Sequence, residues 1–346
     1  MNTETEGTLK TLVMTGGGTA GHVTPCIALL EEMKKRFDRV IFIGGDGMEK
    51  DLVPKVMPFY SVPTVKFFRK EIYKNAAIPF VLQRGVRAAK KILVQNDACA
   101  VFSKGGYASL PACLAAKSLG VPVVCHESDY TLGLANKLES RFAKSVLTSF
   151  IETKGGTYVG NPIRKEIMFG DAERAKKNYG VGKKKVLLII GGSSGSEALN
   201  RTIYKGLDVF LADYDVVHIC GKTGDLSIRR DGYAQTRYAE DVADLYALAE
   251  VVVTRGGSNA LNELAALGKK AVVVPLPKGE SRGDQVLNAR SYERRGFFTV
   301  LEQEDLHVET LLDRIKKAES NAQKATELTA ANERIANIVA SVALVR

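Results

Sequence analysis

Apolar and polar positions along the chain fall into short apolar runs closed by glycines, alternating with segments of helical periodicity. Residues 10–15 (KTLVMT) form one run ending in glycines, apolar residues recur at helical spacing over 25–37, and 40–43 (VIFI) is a second run again closed by glycines. Strand, glycine turn, helix and strand in this order make a βαβ unit and a parallel sheet. Residues 99–102 run into Lys104-Gly105-Gly106, and a helix over 109–118 and a strand over 121–125 follow. A second series starts after the turn Gly160-Asn161-Pro162. It comprises a strand over 186–190, the loop GGSSGS (191–196), a helix over 196–212, strands over 216–220 and 251–254, the loop Arg255-Gly256-Gly257, a helix over 259–267 and a strand over 271–275. From Glu309 on, the Ala-, Glu-, Lys- and Leu-rich tail predicts helix. The predicted class is therefore α/β, with two doubly wound, Rossmann-like domains. Two such sheets would turn the carboxyl ends of their strands toward a shared cleft, where open α/β sheets bind ligands. The boundaries fall at 1–159 and 160–315, with C-terminal helices over 316–346.

The length of 346 residues agrees with two domains, and 45% hydrophobic with 25% charged residues is a globular composition. No apolar run nears the roughly 20 residues of a membrane-spanning helix. The polar start MNTETEGTLK lacks the apolar segment of a secretory signal, so a soluble, cytoplasmic chain is expected. The five cysteines show no C-x-x-C pair and predict reduced, packed thiols. Histidines 22, 126, 218 and 307 have no metal-ligand spacing, and no metal or cofactor is expected. Charge does change the picture: 49 Lys and Arg against 39 Asp and Glu give +10, which points to an anionic partner. Residues 65–91 hold Lys66, Arg69, Lys70, Lys74, Arg84, Arg87, Lys90 and Lys91 against one acid, Glu71, and so carry +7 of that excess.

The loops carry the candidate chemistry. TGGGTAGH (15–22) contains Gly16-x-Gly18-x-x-Gly21, formally a dinucleotide fingerprint. A nicotinamide site also needs an acid at the tip of the second strand, but Gly44-Gly45 stand there and Asp46 is displaced. No G-K-[ST] follows, which excludes a Walker loop. What remains is a glycine turn whose helix N–H groups suit a diphosphate. His22 at the end of this loop is either a helix-start surface residue or a base for a hydroxyl proton. GGSSGS is either a tight connection or a loop in which Ser193 and backbone N–H groups hold phosphate oxygens. In TRGGSNALNELAALG (254–268), Ser258 or Asn259 can cap a helix, and Glu263 about one turn inside can accept both hydroxyls of a ribose. Gln285 and Asn288 in GDQVLNA (283–289) can reach sugar hydroxyls. Asp213-Tyr214-Asp215 has the D-x-D form of metal-dependent sugar transferases, but precedes its strand at the wrong end of a sheet and reads as a loop.

These segments, with FSKGGYASLPACLAAKSLGVPVVCHESD (102–129), GLANK (133–137) and GNPIR (160–164), resemble the MurG family of peptidoglycan N-acetylglucosaminyltransferases, in glycosyltransferase family 28 with the GT-B fold. The motifs follow the family's order over nearly the whole chain. The resemblance implies inverting transfer of N-acetylglucosamine (GlcNAc) from UDP-GlcNAc to the C4 hydroxyl of MurNAc in lipid I, giving lipid II. It implies an N-terminal acceptor- and membrane-binding domain, a C-terminal donor domain, and a C-terminal helix crossing back to the first. By matching motif, Thr19, Ala20 and Gly21 lie near the transferred sugar and His22 is the base or acceptor-positioning group. Arg164 and Ser193 hold uridine diphosphate, Ala239 meets uracil through its backbone, Glu263 binds ribose, and Gln285 meets sugar hydroxyls; Ser258 belongs to the same donor site. Asp129 stands where the family often has Asn, and can accept hydrogen bonds there but not donate them when ionised. His126 and Glu127 are rival bases ranked below His22.

The resemblance also gives residues 65–91 a use. Phe67, Phe68, Tyr73, Ile78, Phe80 and Val81 interleave with the cations, as in an interfacial segment on an anionic membrane leaflet. The competing reading is a solvated helix pair with its aromatics in the core; a nucleic-acid surface lacks any supporting motif. The resemblance implies a peripheral enzyme on the cytoplasmic side of a bacterial cell membrane, in contact with other cell-wall synthesis proteins. The alternatives are another GT-B enzyme on a glycolipid or natural product, a UDP-GlcNAc epimerase, and a catalytically silent nucleotide-sugar-binding protein.

Overall fold

A computed structural model describes residues 9–67, 71–192, 195–279, 282–321 and 330–344. The chain divides into two compact units, residues 1–164 with 330–346, and residues 165–329.

Unit 1 runs β1 (Leu9–Thr15), α1 (Ala20–Lys34), β2 (Phe37–Gly44), α2 (Glu49–Leu52), β3 (Phe59–Ser61), α3 (Ile78–Gln95), β4 (Ala98–Ser103), α4 (Leu110–Leu119), β5 (Val123–Glu127), α5 (Leu134–Glu139), β6 (Ser145–Thr148) and β7 (Thr157–Tyr158). Its sheet has the order β3-β2-β1-β4-β5-β6-β7 with every pairing parallel. The chain winds outward from β1 in one direction and from β4 in the other, so the topological switch point lies between them. Parallel strands covered on both faces must be apolar on both. Accordingly Leu12 and Met14 of β1 pack with Leu29 and Met33 of α1 on one face, and Val13 packs with Ala112 and Ala116 of α4 on the other. The unit is completed by the C-terminal helix Ala331–Leu344, whose Ile335, Ala336 and Val339 join the α1 side of that core. Asn332 fixes its start: the amide donates to the carbonyls of Ala28 (3.0 Å) and Ile163 (2.8 Å) and accepts from Ile163 N (2.9 Å).

The first helix begins earlier than its hydrophobic spacing predicts. Thr19 is its N-cap, Pro25 lies inside it rather than at its start, and Phe37 opens β2 instead of ending the helix. A proline five residues into a helix forfeits only one early backbone bond, so apolar spacing alone does not locate the start.

Unit 2 runs α6 (Ala172–Tyr179), β8 (Lys185–Ile190), α7 (Glu197–Lys205), α8 (Leu207–Asp213), β9 (Tyr214–Ile219), β10 (Tyr233–Thr236), α9 (Val242–Leu248), β11 (Val251–Thr254), α10 (Ser258–Ala266), β12 (Lys270–Val273), α11 (Asp284–Arg294), β13 (Thr299–Val300) and α12 (Val308–Ser320). The helix Ala331–Leu344 is α13 and is assigned to unit 1. The second sheet has the order β10-β9-β8-β11-β12-β13, again all parallel, with its switch point between β8 and β11. Ser196 caps α7 by accepting from Leu199 N. The single helix expected over 196–212 is two: Gly206 leaves the helical region at φ −101° and ψ 13°, and a Cβ there would stand 2.5 Å from Val308.

Asp215 of the D-x-D triplet lies within β9, at its amino end, rather than in a loop. Its Oδ2 accepts from the backbone N–H groups of Gly182 (2.7 Å), Lys183 (2.8 Å) and Lys184 (3.2 Å). That carboxylate anchors the turn into β8.

Candidate functional site

The glycine loop after β1 lies at the switch point of unit 1. Gly18 has φ +86°, and a Cβ there would stand 2.4 Å from the Tyr107 ring, so both conformation and space require glycine. Thr19 then enters α1 in an extended conformation, and Ala20 and Gly21 make its first turn. The Thr19 hydroxyl does not cap the helix; its Oγ1 lies 2.8 Å from His22 Nδ1. If Nδ1–H donates to that oxygen, the lone pair sits on Nε2, and the bond survives protonation of the ring. His22 itself is half-buried.

Glu49 was not singled out by its sequence. Its side chain is fully buried, accepting from Gly18 N (3.1 Å) and Gly45 N (3.1 Å), so one carboxylate ties together the glycine loops after β1 and β2. The acid that a dinucleotide site would need at the tip of β2 points elsewhere: Asp46 accepts from Ser61 Oγ (3.0 Å) and pairs with Lys50. An acid in the first turn after Gly44-Gly45 was the available signal for Glu49, but its partner Gly18 is distant in sequence.

Beside this loop, the end of β5 carries His126, Glu127 and the turn to Asp129. His126 is completely buried, with Nε2–H donating to Gly160 O (2.8 Å) and Nδ1 accepting from Lys104 Nζ (2.6 Å). Burial, reinforced by the Lys104 charge, holds its pKa well below the usual imidazole range. Glu127 accepts from Asp129 N (3.0 Å), Gly133 N (2.8 Å) and Asn136 Nδ2 (2.8 Å). Burial, and then Asp129, push its carboxyl up. Both rival bases are thus enclosed and committed to structural bonds, whereas Asp129 is half-buried. Arg164, half-buried, is the last residue of this unit before the chain enters unit 2.

In unit 2 the loop after β11 leads directly into α10. Gly257, not Ser258 or Asn259, is the N-cap of α10, and Ser258 is its first residue, buried. The loop backbone enters the helix one residue earlier than side-chain capping would require. Glu263 lies one turn further, at 9% exposure. Gln285 at the start of α11 accepts through Oε1 from Gly256 N (3.2 Å) and Leu276 N (3.0 Å), joining the loops after β11 and β12. Two backbone donors on Oε1 direct its Nε2 away from them. Asn288 donates to Gly256 O (3.1 Å) from a fully buried position. Ala239 is buried in the connection from β10 to α9. Ser193 lies outside the described residues; the structure places Ser258 and Gln285 at the loop after β11, with Glu263 one turn into α10, and leaves Ser193 unplaced.

The basic segment is a surface. Helix α3 turns Gly85, Ala89 and Leu93 inward against α4, and Arg84, Arg87, Lys90 and Lys91 are exposed. Phe67, Tyr73 and Phe80 are 50%, 73% and 72% exposed, contrary to the reading that puts these aromatics in a core. Phe68, Arg69 and Lys70, and the side chain of Lys74, lie outside the described residues. No described helix is long and apolar enough to cross a membrane. All five cysteines are buried thiols.

Residues 12–148 match the glycosyltransferase family 28 N-terminal domain, and residues 186–342 its C-terminal domain. A Clostridium perfringens protein is 42% identical over 326 residues, covering 90% of this chain and 91% of the relative. One from Geobacillus thermodenitrificans is 42% identical over 328 residues, covering 91% and 92%. Both bear the name UDP-N-acetylglucosamine–N-acetylmuramyl-(pentapeptide) pyrophosphoryl-undecaprenol N-acetylglucosamine transferase. Among solved structures, Acinetobacter baumannii MurG aligns with TM-score 0.71 at 24% identity, covering 96% of this chain and 99% of that one. The calicheamicin glycosyltransferase CalG4 aligns with TM-score 0.64 at 13% identity, covering 97% and 95%. At those identities the structures speak for the fold, which is GT-B.

Proposed function

The chain belongs to glycosyltransferase family 28, and on that premise we propose that it transfers N-acetylglucosamine from UDP-GlcNAc to lipid I. The acceptor atom is the C4 hydroxyl of MurNAc in undecaprenyl-diphospho-MurNAc-pentapeptide, and the products are lipid II and UDP. The observation that carries this reading is 42% identity, over nine-tenths of both chains, to relatives named for that transfer.

In the proposed step the acceptor O4–H proton passes to His22 Nε2 while O4 bonds to the anomeric carbon of the donor. The bond from that carbon to the β-phosphate oxygen breaks, and UDP leaves with the electron pair. One displacement inverts the anomeric centre, and a positioned base is the protein's contribution to proton transfer. Thr19 Oγ1, accepting from Nδ1–H, selects the tautomer this requires, and its 2.8 Å contact supports the role. Thr19, Ala20 and Gly21 line the sugar, and Asp129 accepts from the sugar or the acceptor. Unit 2 holds the donor: Ser258 and the start of α10 with Ser193 at the diphosphate, Glu263 at the ribose hydroxyls, the backbone at Ala239 against uracil, and Gln285 Nε2 at the sugar hydroxyls; Arg164, the last residue of unit 1, also serves the diphosphate. Residues 1–159 serve the acceptor and 160–315 the donor.

The lipid-linked acceptor calls for an anionic leaflet surface, and the exposed cations of α3 beside exposed Phe67, Tyr73 and Phe80 support docking there, on the cytoplasmic face. The test is UDP release from UDP-GlcNAc in EDTA, with and without a lipid I analogue bearing a free C4 hydroxyl. Release that depends on the acceptor is expected. Binding of UDP-GlcNAc without release would leave the donor site and refute the acceptor.

A further inference from the structure

Lys104 follows β4 directly, and its side chain is only 1% exposed. Its Nζ donates to two neutral acceptors, His126 Nδ1 (2.6 Å) and Ser128 Oγ (2.6 Å), and among the described residues no carboxylate lies within ion-pair distance. A buried ammonium whose hydrogen bonds go only to neutral acceptors is unfavourable for folding, and such groups concentrate where a site needs them. The geometry says what this one holds. Its backbone N–H donates to Thr15 O (2.9 Å), and its Cβ and the His22 carbonyl both crowd Gly16, at 3.2 and 2.9 Å from where a Cβ would stand. Its ammonium fixes the His126 ring, whose other nitrogen donates to Gly160 O, and the Ser128 hydroxyl, which donates to Asn161 Oδ1 (2.7 Å).

We propose that Lys104 is a positioning residue for the transfer step, its ammonium clamping His126 and Ser128 so that the turn bearing Asp129 is held against the glycine loop bearing His22. This rests on the transferase reading above. The clamp needs the cation, because neutral lysine is a much weaker donor to Nδ1 and Oγ. Burial pulls the Lys104 pKa down to about 8, opposed by smaller attractions from Cys26 on α1 and from Glu127 and Asp129 after β5. Of the other groups facing it, Cys26 is pushed up to about 12 and His126 stays neutral from well below its usual pKa. Burial, and then Asp129, raise the Glu127 carboxyl. Loss of the clamp is therefore expected near pH 8, and Lys104→Arg tests whether it belongs to Lys104.

The experiment measures kcat and KM for both substrates between about pH 6 and 10 in wild type, Lys104→Met and Lys104→Arg, with ¹⁵N spectra of the His126 ring in each. Wild-type kcat should fall by a one-proton limb near pH 8. Lys104→Met should lose about tenfold in kcat at pH 7, the rate equivalent of one charge-assisted hydrogen bond, with donor KM unchanged and the limb absent. Lys104→Arg, which stays charged, should move the limb beyond the range, and the His126 ring should keep its Nε2–H form in wild type and Lys104→Arg only. Wild-type kcat and limb retained in Lys104→Met would overturn the proposal. So would a limb unmoved in Lys104→Arg, which carries the test should Lys104→Met not fold. An absence of acceptor-dependent UDP release in wild type is a separate result and refutes the transferase reading on which the proposal rests.

Discussion

Replacing Glu49 should loosen the two glycine loops it joins and slow the transfer while sparing the donor site. The carboxylate is fully buried and accepts from the N–H groups of Gly18 and Gly45. Glu49→Gln keeps one carbonyl oxygen and turns an N–H₂ toward the second donor. The Gly45 bond is buried, and a buried donor left without an acceptor costs about 1–3 kcal/mol. Gly18 is half-buried, so water can take over part of its bond and its loss lies near the lower end. The net expectation is a destabilisation of about 2 kcal/mol for Glu49→Gln, and about 2–4 kcal/mol for Glu49→Ala, which removes both acceptors. Against a domain stability of about 5–15 kcal/mol, unit 1 should still fold. Native-state hydrogen exchange reads the effect locally: Gly45 protection should fall by about 10- to 100-fold, with core amides of β1 changed less. The kcat should fall in parallel, since Gly18 sets the entry of Thr19 and His22 into α1, while the affinity for UDP-GlcNAc stays at the wild-type value. Equal exchange at Gly18 and Gly45 in wild type and variant would refute the reasoning, as would a loss of donor affinity equal to the loss in kcat.

Changing His22 to Ala should lower kcat by about 10²–10⁴-fold, the usual contribution of a positioned base, with donor affinity preserved in a direct binding titration. Glu263→Ala should raise the KM for UDP-GlcNAc by about 10- to 100-fold, the equivalent of one or two charge-assisted hydrogen bonds, and leave acceptor KM alone. Exchanging Arg84, Arg87, Lys90 and Lys91 for Gln removes about 1 kcal/mol each near an anionic surface. Partitioning onto phosphatidylserine-rich vesicles at low salt should then weaken by about 10³-fold, with turnover of a short-chain soluble acceptor unaffected.

The repeated order of strand, glycine loop and helix was legible because strands covered on both faces must be apolar throughout, as in 12–14 and 186–190. The short outer strands β3, β7, β10 and β13 were not, since two to four residues carry too little periodicity to register. Thr19 and His22 could be picked out because they sit inside a glycine motif where chain direction alone places them after a strand. Glu49 and Lys104 could not: each reads locally as a surface charge, and only the packing of β1, β2 and β4 side by side makes one a buried acceptor for two loops and the other a buried cation. Gly206 was a local sign against one continuous helix, while the close approach of Val308 that needs a glycine there is distant in sequence. His126 and Glu127 stood as rival bases ranked below His22, and their enclosure by Lys104, Gly160 and Asn136 is a reason for that order that the sequence did not show.

The most direct measurement is the identity and anomeric configuration of the product formed from UDP-GlcNAc and a lipid I analogue, read by mass and by proton NMR coupling at the new anomeric centre. Inverting transfer predicts an acceptor heavier by one N-acetylhexosamine residue, bearing a β-linkage at the MurNAc C4 oxygen, with one UDP released per product. Free N-acetylglucosamine, an epimerised sugar, or an α-linked product would contradict it.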